Sequence, residues 1–147
     1  MVACSSWKTQ SKVKSASFGI NINENSHIGL HIKKWRLELN LFQQDVATIF
    51  GITEDALRFW ENGLAIPNIR YAPAIILFLG YNPYPKKETE TVGGKISHYR
   101  LLNGLSYNRM GDMFGVDAST VSAWERNKFA PRGSVLELLK KTLNSKV

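Results

Sequence analysis

The stretch Leu41–Gly63, LFQQDVATIFGITEDALRFWENG, decides the fold, because it returns 64 residues later as Leu105–Asn127, LSYNRMGDMFGVDASTVSAWERN. Sliding the chain against itself by 64 residues aligns 28–67 with 92–131 without a gap, and ten of those forty pairs are identical. They are Gly29 with Gly93, Ile32 with Ile96, Arg36 with Arg100, Leu37 with Leu101, Leu41 with Leu105, Phe50 with Phe114, Gly51 with Gly115, Trp60 with Trp124, Glu61 with Glu125 and Pro67 with Pro131. Two of only four tryptophans coincide, each followed by Glu and each nine residues after a Phe-Gly pair. Chance explains this poorly, and the chain reads as a duplicated small domain.

Each copy is a string of short helices. Ile28, Ile32, Trp35 and Leu39 fall at helical spacing and are followed by Asn40, a residue that tolerates the left-handed conformation ending a helix. Val92, Ile96 and Tyr99 repeat the pattern, with Gly104 in place of Asn40. A short segment follows, Gln43 to Phe50 or Tyr107 to Phe114, and stops at a glycine. Thr53 or Asp117 then caps another helix, whose apolar positions are Leu57 and Trp60, or Val121 and Trp124. Two helices joined by a three-residue turn containing Gly form a helix-turn-helix unit. An apolar helix after Pro67 ends at Gly80, and its counterpart runs from about Ser134 to Leu143.

Working outward, residues 1–25 form a basic arm expected to be disordered: its first 23 residues hold Lys8, Lys12 and Lys14, no acid and little apolar surface. Residues 26–80 are the first domain and 92–147 the second. Residues 81–91, with Pro83, Pro85 and a mixed charge run, stop the preceding helix and space the two units.

Composition narrows the function. The chain has 147 residues, 44% of them apolar, enough to bury a core. Nineteen Lys and Arg against twelve Asp and Glu leave a net charge of +7, which favours a polyanionic partner such as nucleic acid. A single cysteine, Cys4, excludes an internal disulfide framework, and with only His27, His31 and His98 besides it no metal-site spacing is present. The histidines read as surface residues. The longest apolar run, Ala74 to Leu79, is too short to span a bilayer and the start of the chain has no hydrophobic signal core, so a cytoplasmic protein without membrane contact is expected. There are no paired carboxylates, no nucleophile with a base and no phosphate-cradling glycine loop, so no enzyme, cofactor or small-molecule substrate is expected.

The two quoted stretches resemble the Cro and phage-repressor (XRE) type of helix-turn-helix. Its pattern is an apolar residue, Thr or Ser, Gln, two polar residues, Leu or Val, Ala, and later Gly, a short turn, a recognition helix and Trp-Glu-x-Gly. The likeness covers roughly residues 26–143. It implies an all-α chain of two tandem lambda-repressor-like domains of four to five short helices each, binding double-stranded DNA in the major groove and regulating transcription in a bacterial, nucleoid-associated setting. It also implies that Arg36 pairs with Glu61 and Arg100 with Glu125. Gln43 would touch phosphate and brace the recognition helix, whereas Tyr107 in its place can donate only one hydrogen bond. Phe42 departs from the pattern, which asks for the capping Thr or Ser that Ser106 supplies in the second copy.

A major groove about 12 Å wide admits one helix, and a reader needs small or polar residues on that helix's first turn. The positions expected to be exposed are Glu54, Asp55, Arg58 and Phe59 in the first copy, and Ala118, Ser119, Ser122 and Ala123 in the second. With the neighbouring caps and loops, the expected DNA contacts are Gln43, Gln44, Thr53, Glu54, Asp55, Arg58 and Asn62, then Ser106, Tyr107, Ala118, Ser119, Thr120, Ser122, Arg126, Lys128 and Arg132. Lys33, Lys34, Lys140 and Lys141 are open to two readings, solvated surface or phosphate contact.

Charge separates the copies. Residues 24–85 hold five basic and six acidic side chains, and residues 86–147 hold eleven and six, so the second unit should dominate phosphate binding. Glu54 and Asp55 leave the first unit either a selective reader, accepting from a cytosine amino group, or a converted protein-contact module. The leading expectation is a DNA-binding regulator in which one monomer acts as its own pseudo-dimer. An eleven-residue linker reaches about 36 Å at most, against about 34 Å between half-sites one turn apart. The alternative is an antitoxin-like or homodimeric adaptor in which a unit binds protein, with Ile75, Ile76, Leu77, Phe78 and Leu79 as one candidate interface.

Overall fold

Helix ends in both repeats are fixed by short polar caps and left-handed residues. The computed structural model describes residues 19–23, 25–87 and 89–144, so most of the expected arm, with its three lysines, lies outside the described residues. Among the described residues there are eight α-helices, one 3₁₀ turn and no strand. The helices are α1 (Ile28–Glu38), α2 (Gln43–Phe50), α3 (Glu54–Glu61), α4 (Ala72–Leu79), α5 (Val92–Asn103), α6 (Tyr107–Phe114), α7 (Ala118–Glu125) and α8 (Gly133–Asn144), with the 3₁₀ turn Ile69–Tyr71 before α4. None is long and apolar enough to cross a membrane.

The His27 ring caps α1 by accepting from the Leu30 N–H at 3.2 Å, and Thr53, Thr91 and Ser106 cap α3, α5 and α6 through their hydroxyls. Asp117 departs from the expected capping role: it holds the N-cap position of α7, but its side chain accepts no bond there. Phe42 has no side chain to offer at the start of α2. Asp45 reaches back instead and accepts the Phe42 N–H at 2.8 Å. Gly51, Gly104 and Gly115 lie at φ between +62° and +66° after α2, α5 and α6, and Asn40 takes the same conformation at φ +55°.

The chain divides into two compact units. One comprises the described residues up to Asn68 together with Ala74–Pro85, and the other Ile69–Pro73 together with Lys86 onward. In the first, Ile32, Val46, Ala47, Phe50, Leu57 and Trp60 are buried, and Phe78 meets Phe50 edge-on at 5.4 Å between ring centres. In the second, Ile96, Met110, Phe114, Val121, Trp124 and Leu139 form the core, with Tyr99, Tyr107, Val116, Val135 and Leu143 packed around it. The expectation that all three histidines lie at the surface fails for His31. It is buried, and its Nδ1 is 2.8 Å from the Tyr81 hydroxyl, an aromatic neighbour fifty residues away that no local pattern reveals. Burial lowers the pKa of its ring below the ordinary histidine value.

The identical pair Gly29 and Gly93 marks a close approach of backbones in each unit. A methyl group at Gly29 would fall inside the Trp60 carbonyl, and one at Gly93 would stand 2.5 Å from the Glu125 carbonyl oxygen and 2.6 Å from that of Trp124. Only a hydrogen side chain lets the first helix of each unit lie against the end of the third. Gly29→Ala and Gly93→Ala should each destabilise their unit by about 3 kcal/mol or more. Gly51→Ala meets no neighbouring atom, only an unfavourable φ of +66°, and should cost about 1–2 kcal/mol. Denaturant unfolding midpoints check this ordering, which fails if Gly51→Ala proves the more damaging.

Candidate nucleic-acid interface

In each unit a carboxylate at the end of the third helix gathers the elements around it. The Glu61 side chain is wholly buried. The Arg36 guanidinium grips it with a two-pronged fork, Nε to Oε1 at 2.6 Å and the second prong to Oε2 at 2.9 Å, while its remaining nitrogen donates to the Leu41 carbonyl at 2.9 Å. Gln43, half-buried at the start of α2, donates its amide to the same carboxylate at 2.8 Å. Helices α1, α2 and α3 are thereby locked at one point. Such charge-assisted forks are geometrically demanding, which fixes how α3 is presented.

The second unit builds the same knot from different parts. Arg100 reaches Glu125 through one nitrogen at 2.5 Å, and its guanidinium lies 3.6 Å from the centre of the Tyr107 ring. The Tyr107 hydroxyl sits 3.3 Å from Glu125, and Lys87 donates to it at 2.8 Å. Stacking on the tyrosine replaces the second prong of the fork. Burial pushes the Glu125 carboxyl up, but the hydrogen bonds from Lys87 and Arg100 and their charges outweigh it and hold the group below the ordinary carboxylate range.

The positions expected to meet DNA fall into distinct environments. Gln44, Thr53, Glu54, Asp55, Arg58 and Asn62 are exposed in the first unit, with the Thr53 hydroxyl committed to its cap and Arg58 bound to Asp55 at 2.7 Å. In the second unit Ser119, Arg126, Lys128 and Arg132 are exposed, while Ser106, Tyr107 and Thr120 are half-buried. Ala118, Ser122 and Ala123, expected to be exposed, are half-buried as well, on a short helix whose Val121 and Trp124 are buried in the core. Lys33 and Lys34 are half-buried on α1, whereas Lys140 and Lys141 are exposed on α8.

The sequence pattern did not point to two residues of the site. Asn127 stands where the first copy has Gly63, and both are left-handed, at φ +55° and +70°. Its side chain accepts the Gly93 N–H at 3.1 Å and donates to Thr91 at 3.4 Å, fastening the end of α7 to the start of α5. In the first unit the His27 ring lies over Gly63 instead, so His27 with Gly63 answers Thr91 with Asn127. Of that exchange the repeat alignment shows Gly63 against Asn127, while His27 and Thr91 stand one residue before it begins. Lys87 carries no such signal, since it falls outside the aligned region.

The helix-turn-helix family matches residues 32–85 and again 96–147. The chain belongs to that family, in its Cro and phage-repressor form, twice over. Membership makes it a DNA-binding regulatory protein by family. It is also similar to the type II methyltransferase M1.ScrFI of Lactococcus lactis subsp. cremoris, 29% identical over 114 residues. That match takes in 76% of this chain but only 28% of the methyltransferase. No solved structure matches the chain.

Because the Glu125 carboxyl has a lowered pKa in the folded state, its contribution is fully present above the ordinary value of 4.5 and is lost as pH falls through the lower folded value. The second unit should therefore lose stability on acidification below about pH 4.5, and Glu125→Gln should flatten that part of the profile while lowering stability at neutral pH by about 3 kcal/mol. Unfolding free energies across pH test this, and an unchanged acid slope in the variant would refute it.

Proposed function

We propose that the chain is a sequence-specific double-stranded DNA-binding transcriptional regulator whose second unit supplies the main grip. What carries this reading is the set of exposed cations, Arg126, Lys128 and Arg132, in the segment directly after α7, together with the exposed Ser119 on that helix's first turn. With α7 in the major groove, the cations flank the phosphate backbone and Ser119 is offered to a base edge. The knot around Glu125 supports the reading, because it holds the reading helix rigid before DNA arrives.

At the corresponding positions the first unit has Asn62, Leu64 and Asn68, all uncharged, so α3 lacks the cations that would seat it on phosphate. This favours an unequal pair over two equivalent half-site readers. The activity named for the methyltransferase relative is no part of the proposal, since the chain spans little more than a quarter of that protein.

A salt titration of duplex DNA binding tests the reading. Affinity should fall steeply with salt, with a log–log slope of about 0.9 per phosphate neutralised. Replacing Lys128 and Arg132 together by Ala should weaken binding to every DNA sequence and flatten the slope by about one for each phosphate left without its cation. Ser119→Ala should instead shift preference at one base pair, by about 1–3 kcal/mol. Salt-independent affinity, or a double variant that binds as well as the parent, would remove the second unit from the DNA surface.

A further inference from the structure

At four exposed positions on and around α3 the first unit carries a large apolar side chain where the second has a small or polar one, and the reverse exchange occurs once, Ala65 standing where the second unit has Phe129, itself 52% exposed. Phe42 replaces Ser106, Phe59 replaces Ala123, Leu64 replaces Lys128 and Ile66 replaces Ala130. These four large apolar side chains are 79%, 44%, 73% and 88% exposed. Their elements adjoin one another. The Phe59 carbonyl accepts the N–H groups of Leu64 and Ala65 at 2.8 and 3.2 Å, and the bond from Gln43 to Glu61 holds the start of α2, next to Phe42, against the end of α3. Hydrating so much apolar surface is costly, and a concentration of it with a polar border is the mark of a protein contact.

The charges around the patch identify the partner's chemistry. Three exposed carboxylates sit on the elements that carry this acidic border: Asp45 accepts the Phe42 N–H at 2.8 Å, Glu54 and Asp55 form the first turn of α3, and the Arg58 guanidinium on the same helix is tied to Asp55 at 2.7 Å and lies over the Phe59 ring. Phosphate is repelled by such a border and gains nothing from Phe, Leu and Ile. Pairing the same face with a second copy would set two acidic borders against each other. A segment with its own apolar anchors between lysines or arginines satisfies both the patch and its border.

We propose that the α3 face of the first unit, Phe42, Phe59, Leu64 and Ile66 with Glu54 and Asp55, docks a basic polypeptide segment with apolar anchors, and that the chain therefore joins a protein partner to DNA. The docking stands apart from the DNA reading of the second unit, because the two faces share no residue, while the joining of the partner to DNA rests on that reading. Selection of short random peptides on the full chain, in the presence and absence of duplex DNA, provides the test. Selected peptides should combine aromatic or aliphatic residues with Lys and Arg. Binding should drop about tenfold or more in the double variant Phe59→Ser, Ile66→Ser, and Glu54→Lys should weaken the basic peptides while favouring acidic ones. Thermal unfolding should be unchanged in these variants, and DNA affinity should be unchanged in the double variant. The proposal is overturned if selection yields no basic apolar peptides, or if the double variant retains their binding. It is equally overturned if the double variant loses DNA affinity, or if sedimentation shows a homodimer that the same substitutions dissociate. Loss of DNA binding by Lys128 and Arg132 variants bears on the second unit alone.

Discussion

A carboxylate buried at the end of a helix is tolerable only when its charge is met from all sides, and both units are organised around that requirement. Glu61 is sealed from solvent and Glu125 nearly so, in positions where an unmatched charge would be untenable. The first helix of each unit brings an arginine, the second brings a polar side chain at its first residue, and the glycine at Gly29 or Gly93 lets the first helix come close enough for the arginine to reach. Removing any one member strands the others. That interdependence accounts for Arg, Glu and Gly recurring in both copies while most of the surface has diverged. A geometry with few acceptable solutions also gives the third helix a fixed attitude, which a groove-reading helix needs and apolar packing alone would supply less sharply.

The second unit shows how the constraint survives replacement of its parts. Tyr107 donates its hydroxyl to Glu125 only at 3.3 Å, against 2.8 Å for the Gln43 amide on Glu61, and the Arg100 guanidinium, 3.6 Å from the centre of the tyrosine ring, makes one bond to the carboxylate instead of two, leaving its Nε without a hydrogen-bond partner. Lys87, from the segment before α5, fills the vacated side of Glu125. Because that lysine side chain is more than half exposed, its attraction is screened, and it restores only part of what the fork provides. His27 over Gly63 and Thr91 with Asn127 form a second exchange of the same kind, in which a bulky cap goes with a bare left-handed position and a small cap with a filled one.

The helical architecture was legible in the chain because duplication exposes constraints that a single copy hides. Phe50 with Phe114, Trp60 with Trp124 and the glycines after α2 and α6 recur at one offset, and periodicity between them gives the core. What stayed hidden depends on contacts between residues far apart in sequence. His31 looked like one more polar residue on a helix, since only the fold brings Tyr81 to it. Asp117 matched a cap by residue type, yet cap chemistry also requires a side-chain rotamer that the sequence does not specify. Helical phase turns Ala118, Ser122 and Ala123 away from the buried Val121 and Trp124, and phase alone does not measure how much of a side chain water reaches. The segment read as a spacer is engaged at both ends by its own unit, through Tyr81 on His31 and Lys87 on Glu125, so its free span is shorter than its eleven residues.

Duplication also changes what each copy must do. A lone reader keeps both its internal knot and its phosphate-facing surface, because losing either abolishes binding. Once a second reader shares the chain, the knot must still be kept for folding, but the phosphate surface of one copy is freed. The proposed unequal pair fits that division: the buried members persist in both units, while Leu64 and Asn68 stand at the sequence positions that Lys128 and Arg132 hold in the second copy. Drift alone would scatter small polar residues over the freed surface. Large apolar side chains standing in water are disfavoured by solubility, so the exposure of Phe42, Phe59, Leu64 and Ile66 beside the acidic start of α3 fits the proposed docking, in which a covering partner would bring the opposite charge.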